Sequence, residues 1–352
     1  MGKMSPQANA EKIASLQAEM DHVIPQLLKE EDIEKKKEMT ALVDRNRKQI
    51  AKLKSGKRIS KDTKRTLIAY SFIAPNFIGF AVFTLIPVIF AFALAFMEWD
   101  GSNPMKFVGI DNFARLLDDT FFKAALKNTL IYCVGTVPLT LVASLALAIL
   151  LNQKVIGRGI FRTLSFFPYV ASLVAVTAVW KMLFSKSGPV NAILYYVFDV
   201  PSKQLPQWFT GNLVLVSYVL FSVWKYMGYY MVIYLAGLQG ISAELYEAAS
   251  LDGASGWQKF RYVTWPQLKP TTFFVTVMLT INCFKVFDIA TLLAGGDNNV
   301  LTVSSTVLVH YIYQKAFVDW DFGYSSAVAM VLFLLVLAAT IIQFRCEAKS
   351  NS

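Results

Sequence analysis

Four polar residues recur along one otherwise apolar stretch: Tyr218, Ser222, Lys225 and Tyr229, spaced by 4, 3 and 4. On a helix such spacings share one face, so hydroxyls, an ammonium and aromatic rings would form a single polar stripe, with Trp224 adjoining. Hydroxyls and aromatic faces suit a sugar, which offers many hydrogen-bonding groups and apolar C–H faces. In a second apolar stretch Lys285 and Asp288 stand three apart. They can share a face and neutralise one another as an internal ion pair, with a proton or ion relay as the alternative. Asn282, just before them, joins Tyr218, Ser222, Lys225 and Tyr229 as a candidate residue of a solute pathway. Other chemistries lack their residues. His22 and His310 are far apart, and Cys133, Cys283 and Cys346 follow no metal-ligand or disulfide-framework spacing. No paired catalytic carboxylates, metal triad or nucleophile–base set falls within the apolar stretches. A Gly-x4-Gly-Lys-Ser/Thr loop that would cradle phosphates is missing too: Gly56-Lys57 comes nearest, but Ala51 and Arg58 break the pattern.

The elements that must position these residues follow from composition. The 352 residues are 55% hydrophobic and 16% charged, against about 25% charged in a soluble domain. Residues 1–65 alone hold 16 Lys/Arg and 10 Asp/Glu. Beyond Arg65 the chain is too apolar for a soluble core, which excludes a soluble enzyme and makes the net charge of +10 a poor sign of nucleic-acid binding. A membrane-crossing helix needs about 20 apolar residues. Windows free of Asp, Glu, Lys and Arg run 66–97, 128–153, 163–180, 204–224, 226–243, 270–284 and 322–344. Lys225 alone separates two of them, so they join as one helix from about Gly211 to Leu238; the window at 270–284 continues to about Leu293. Six spans result. With both termini inside, 24 Lys/Arg lie on the cytoplasmic side and 8 outside, the bias expected of a membrane protein. No cleavable signal precedes the first span, which reads as an uncleaved anchor. Asn76 beside Pro75 marks a helix irregularity in that span, and Trp180 beside Lys181 reads as an interfacial anchor.

The reading is therefore an all-α integral membrane protein: a charged cytoplasmic extension (1–65), a six-span domain (66–345) and a short cytoplasmic tail (346–352). In the extension, Ile13, Leu16, Met20, Val23 and Leu27 have heptad-like spacing interrupted by Pro25, and Met39, Leu42, Ile50 and Leu53 make a second, weaker stripe. A solvated, partly helical or disordered tail is one outcome; a partner-binding or membrane-surface helix is the other.

Between the fourth and fifth spans lies ISAELYEAASLDGASGWQKFRYVTWPQLKP, residues 241–270. Ser242 can cap a short helix whose first turn holds Glu244, favourable at the positive helix end. Leu245, Ala248 and Ala249 share a face, and the alanines keep it slim enough for another surface to approach closely. Gly253 can take a positive φ and stop the helix, Ser255 can cap a second one through Trp257 and Phe260, and Pro266 marks entry to the next span. The prediction is a small helix–turn–helix at the cytoplasmic face.

Glu247-Ala248-Ala249, then Gly253, then Val263-Thr264-Trp265-Pro266 resembles the EAA loop of binding-protein-dependent ABC importer permeases, with Val263 and Trp265 where the family has Ile and Leu. The resemblance runs over about 66–345. Phe107-Val108-Gly109-Ile110-Asp111-Asn112-Phe113, Arg158-Gly159-Ile160-Phe161-Arg162-Thr163 and Leu235-Ala236-Gly237-Leu238-Gln239 look like further family segments. Gly295-Gly296-Asp297, where the family usually has Gly-Gly-Pro, points to the maltose-type carbohydrate subfamily and its MalF-like subunit. The resemblance implies a type I importer fold and a transport subunit of a prokaryotic plasma membrane that is not itself an enzyme. It implies a separate ATPase dimer, which binds the ATP and Mg, a second (MalG-like) permease subunit, and an extracytoplasmic solute-binding protein. The cargo would be a sugar or oligosaccharide, the surroundings membrane lipid, with no nucleic acid. It further implies that the EAA helix sits in a groove of the ATPase and transmits its closure. Glu247 would be the polar anchor, Ala248 and Ala249 the close-packing face and Gly253 the turn, with Asp252 and Pro266 completing the coupling set. A secondary carrier using Lys285 and Asp288, or a permease for a non-sugar solute, are the alternative functions.

Overall fold

The two apolar stripes of the N-terminal extension pair with each other. In the computed structural model, which describes residues 6–30, 32–54, 61–153, 156–294 and 302–350, α1 (Pro6–Lys29) and α2 (Ile33–Lys54) form a helical hairpin. Leu16 and Ile50 are buried, and the Asn46 amide donates to Glu19 at 3.1 Å. The helix runs on through Pro25. A proline there removes one backbone hydrogen bond and crowds the preceding turn, and packing along the seam holds the helix across it. After the hairpin, α3 (Lys61–Phe80) passes into a π-helical stretch, Ala81–Leu85. Phe72 and Phe83 are 81% and 82% exposed, an arrangement suited to hydrocarbon and costly in water.

Met1–Leu85 and Ile86–Ser352 form two compact units. The second opens with α4 (Ile86–Leu94) and an antiparallel pair of short strands, Met97–Glu98 and Lys106–Phe107. Then come α5 (Asp111–Asp118) and the long α6 (Thr120–Asn152). Ala125, Thr129, Cys133, Thr136, Thr140, Ser144 and Ala148 lie along one side of α6, and all are buried. Lipid tails are as apolar as leucine, so helices associate in membranes through close packing of such small residues. From Cys133 onward this face receives α10 (Val214–Gln239), while its start, at Ala125 and Thr129, meets the stretch around Leu308.

Among the described residues four helical stretches are long and apolar enough to cross a membrane: Ile68–Leu94, Thr120–Asn152, Gly211–Gln239 and Phe322–Lys349. They match the first, second, fourth and sixth expected spans. The third is not one helix. It is α7 (Arg158–Val170) and α8 (Leu173–Leu183), bent by 99° between them. The fifth, α13 (Trp265–Phe284), stops at Lys285 and resumes as α14 (Asp288–Ala294), so it does not continue unbroken to Leu293 as expected. Between α8 and α10 lies α9 (Pro189–Phe198). Trp180, expected as an interfacial anchor, is half-buried, its ring stacked on Phe184 at 4.7 Å and packed edge-on against Phe221 at 5.4 Å beside the core cluster.

A second cluster closes one end of the bundle. Here α15 (Leu308–Tyr313) packs on α6 and on α16 (Phe322–Ser350). Asp119 caps α6 by accepting from the amides of Phe121 and Phe122 at 2.8 and 3.1 Å, and its carboxylate also takes both Tyr311 and Tyr324 hydroxyls. Asn112 donates to the carbonyls of Ala95 and Met97 at 3.0 and 2.8 Å, and Arg115 pairs with Asp321 at 2.8 Å while lying over the Tyr324 ring. Burial raises the Asp119 pKa, but the two phenols and two amides outweigh it, leaving the carboxyl below its ordinary value.

Candidate functional site

The first candidate site is the connection between α10 and α13. Ser242 caps α11 (Ala243–Leu251), its hydroxyl accepting from the Glu244 amide at 3.3 Å. Gly253 takes φ +73°, the left-handed conformation that glycine adopts without Cβ strain. Ser255 then opens α12 (Gly256–Lys259) with a capping box: the Gln258 amide donates to the Ser255 hydroxyl, and the Ser255 amide to the Gln258 side chain at 2.7 Å. A π-helical stretch, Phe260–Thr264, carries the chain into α13, with Pro266 in its first turn. The expected helix–turn–helix is present, and its three punctuating residues are Ser242, Gly253 and Ser255.

Two contacts that the spacing of residues did not single out tie this unit together. The Tyr246 and Thr264 hydroxyls share a hydrogen bond at 2.9 Å, and the Lys259 ammonium donates to Ser250 at 2.7 Å. Both join α11 to the stretch leading into α13. The signal was present in the sequence as polar partners on the inner sides of two short helices, but nothing in the spacing identifies which hydroxyls meet. No residue of α11 is buried, Glu247, Ala248 and Asp252 are exposed, Ala249 is half-buried, and Leu251 and Trp257 are 91% and 71% exposed. Leu251 and Trp257 thus stand as exposed apolar side chains on either side of the turn.

The second candidate site is a cavity of about 590 Å³ bounded by α6, α10, α13 and the two helix breaks. Of the five candidate pathway residues, Lys225, Tyr229 and Asn282 line it. Tyr218 and Ser222 do not. They are fully buried, the Tyr218 hydroxyl donating to the carbonyls of Ala290 and Ser305 at 3.2 Å each and Ser222 bonding to Tyr132 at 2.7 Å. The stripe is real, but its first half is wired into the core because α6 and the 302–307 segment cover it.

Lys225 reaches the break between α7 and α8. Its ammonium donates to the carbonyls of Pro168 at 3.0 Å and Tyr169 at 3.4 Å, the groups that the end of a helix leaves unbonded. A cation there also meets the negative end of the helix dipole. One turn on, Gly228 lets α7 touch α10 directly: a Cβ at this position would lie 1.8 Å from the Ser165 carbonyl oxygen. The Tyr169 ring, which sequence reasoning missed, stacks on Tyr229 at 4.4 Å and 18°. Across the cavity Asn282 donates to the Tyr230 hydroxyl at 3.3 Å. Lys285 and Asp288 both line the cavity, but they form no ion pair within 4.0 Å. Each sits where its own helix favours it: Lys285 caps the C-terminus of α13, and Asp288 opens α14. The cavity thus presents aromatic faces, an amide, a carboxylate and ammonium groups, a set matched to a polyhydroxylated solute. Among the described residues no group of His, Cys, Asp and Glu could hold a metal ion. Gly295-Gly296-Asp297 lies outside the described residues.

Residues 140–350, which contain the helix–turn–helix and most of the cavity lining, match the family described as "binding-protein-dependent transport system inner membrane component". The chain belongs to that family. A probable ABC transporter permease of Bacillus subtilis, YesP, is 37% identical to this permease over 300 residues, covering 84% of this chain and 94% of YesP. The lactose transport system permease LacF of Rhizobium radiobacter is 35% identical over 281 residues, covering 78% and 91%. A solved chain of a bacterial ABC transporter involved in import of the acidic polysaccharide alginate superposes with TM-score 0.72 at 24% identity, over 84% of this permease and all of that chain. At that identity the likeness establishes the fold. The α1–α2 hairpin lies outside the stretch that matches the family.

Proposed function

We propose that this permease is one of two unlike membrane subunits of an ATP-driven importer that moves a sugar or oligosaccharide by alternating access. The observation that carries the coupling is the exposed, internally braced turn around Gly253. Glu247, Ala248, Ala249 and Asp252 lie on α11 or just past its end. Tyr246–Thr264 and Lys259–Ser250 join that helix to the start of α13, so a push on α11 is delivered to a membrane helix without being absorbed in the connection. Pro266 stands at the entry to α13. The helix–turn–helix faces the cytoplasm with both termini, and a separate ATPase, with its ATP and Mg, receives α11 in a groove. Solute passes by the cavity, where Tyr229 stacked on Tyr169 offers a face to a sugar ring, Asn282 offers hydrogen bonds, and Lys225 holds the wall in shape.

Relatives support the cargo class. Permeases of lactose and arabinooligosaccharide transport systems are among them, and the alginate transporter has been solved with a pentasaccharide-bound periplasmic protein. An extracytoplasmic binding protein is the corresponding partner here. The test is native mass spectrometry of the tagged chain, extracted gently from its own host. Two ATPase copies with one different permease subunit are expected; a lone chain or a homodimer without ATPase would overturn the proposal.

A further inference from the structure

The hairpin of α1 and α2 carries charge very unevenly. Helix α2 holds eight Lys/Arg and three Asp/Glu, whereas α1 holds two Lys and three Asp/Glu. With about 100° of rotation per residue, Lys36, Lys37, Arg47, Lys48 and Lys54 fall on one side of α2, within a sector of about 120°; Lys36 and Lys54 border the buried Ile50, and Lys37 and Lys48 lie farthest from the seam. Asp44 is the one acidic residue among them. All five are exposed. Past Ile33, the first residue of the helix, that side has little apolar surface to bury against a protein: its uncharged positions are Thr40 and Ala51. It is a charged plane, and its complement is a negatively charged plane.

We infer that this side of α2 lies on the membrane surface and binds the phosphate groups of anionic lipids. The chain itself brings the two together. Seven residue steps separate Lys54 from Lys61, the first residue of α3, and cannot span more than about 25 Å. Helix α3 leads directly into the stretch Ile68–Leu94. The far end of α2 is therefore tethered beside a bilayer whatever else the importer does, which holds the local concentration of headgroups high. A basic segment next to a membrane span is attracted to anionic headgroups over about one Debye length. The Lys57, Arg58, Lys61, Lys64 and Arg65 that follow α2 in sequence carry the same sign. The binding is electrostatic, so it is reversible by salt and indifferent to the solute carried.

The experiment uses the full chain in its complex, reconstituted in lipid vesicles. Cys346, the exposed native cysteine among the described residues, is changed to Ser. A fluorophore is attached through Ala51→Cys, and energy transfer is read to a headgroup-labelled lipid. Transfer is expected to be high in phosphatidylglycerol-rich vesicles and to fall at least about threefold in pure phosphatidylcholine, or when salt shortens the Debye length to about 3 Å. The combined variant Lys36→Gln, Lys37→Gln, Arg47→Gln, Lys48→Gln should reproduce the loss in phosphatidylglycerol. Glutamine keeps helix propensity close to that of lysine, and helical content measured by circular dichroism checks that the hairpin persists. Equal transfer in both lipids would overturn the inference. So would a photo-cross-linker attached through the same Ala51→Cys substitution that captured the ATPase in place of lipid. Native mass spectrometry of the same preparation reports on subunit composition separately, so failure here and failure of the importer assignment are distinguishable.

Discussion

The junction of α5, α15 and α16 and the turn between α11 and α12 are built from the same parts, short helices at the ends of long ones, and they finish in opposite ways. At the first, the polar groups look inward. Asp119 accepts from two amides and two phenols, Asn112 spans two carbonyls, and Arg115 is held by Asp321. At the second, two side-chain bonds brace the turn from within while Leu251 and Trp257 point outward. A region that satisfies its own polar groups is a fixed end. A region braced inside and apolar outside suits the coupling role proposed for it, in which stiffness would transmit force and exposed apolar area would be held.

The largest effect is expected at the crossing of α7 and α10, which belongs to neither region. Gly228→Leu forces a side chain into the Ser165 carbonyl, where only backbone could move. The expected result is failure to accumulate in membranes, read by immunoblot of the membrane fraction. Gly253→Pro replaces a φ of +73° by one near −65°. Abundance should stay close to wild type while solute-stimulated ATP hydrolysis falls to its unstimulated level, because the turn is exposed and its failure unfolds nothing else. Lys225→Met strands the Pro168 and Tyr169 carbonyls at a cost of about 1–3 kcal/mol. A lower Tm in detergent together with impaired transport is expected. Tyr246→Phe deletes one bond to Thr264, worth about 0.5–1.5 kcal/mol; coupling should weaken a few-fold with Tm nearly unchanged. The smallest effect belongs to the closed junction. The Asp119 pKa is lowered on folding, so its contribution is present above the unfolded value of about 3.9 and is lost as pH falls through the folded value. Asp119→Asn should flatten the fall of Tm with acid and leave transport alone.

These outcomes also mark how far the residues alone could be read. Caps and turns were legible because Ser242, Gly253 and Ser255 act on their own neighbours, and local chemistry leaves a local signature. The heptad spacings of the extension were legible for the same reason. The broken third span was not. Residues 163–180 are free of charge, and the partner of the carbonyls at the bend, Lys225, stands 57 positions from Pro168 and 56 from Tyr169. Equally hidden was the division of the stripe on α10: Tyr218 and Ser222 face neighbours, Lys225 and Tyr229 face space, and periodicity reports a shared side without reporting what stands opposite. Lys285 and Asp288 misled in a related way. Their spacing invites a pair on a continuous helix, and the helix stops between them.

The contact at Gly228 has a mechanical consequence. Where α7 crosses α10 no side chain is interposed, so turning one helix against the other at that point has no rotamer to climb over. Sliding is different: displacement by one turn either way would drive Trp224 and Lys225, or Met231 and Val232, against the backbone of α7. At the crossing itself, translation meets side chains and rotation does not; what resists rotation lies beside it, in the Lys225 bonds to Pro168 and Tyr169 and the stack of Tyr169 on Tyr229.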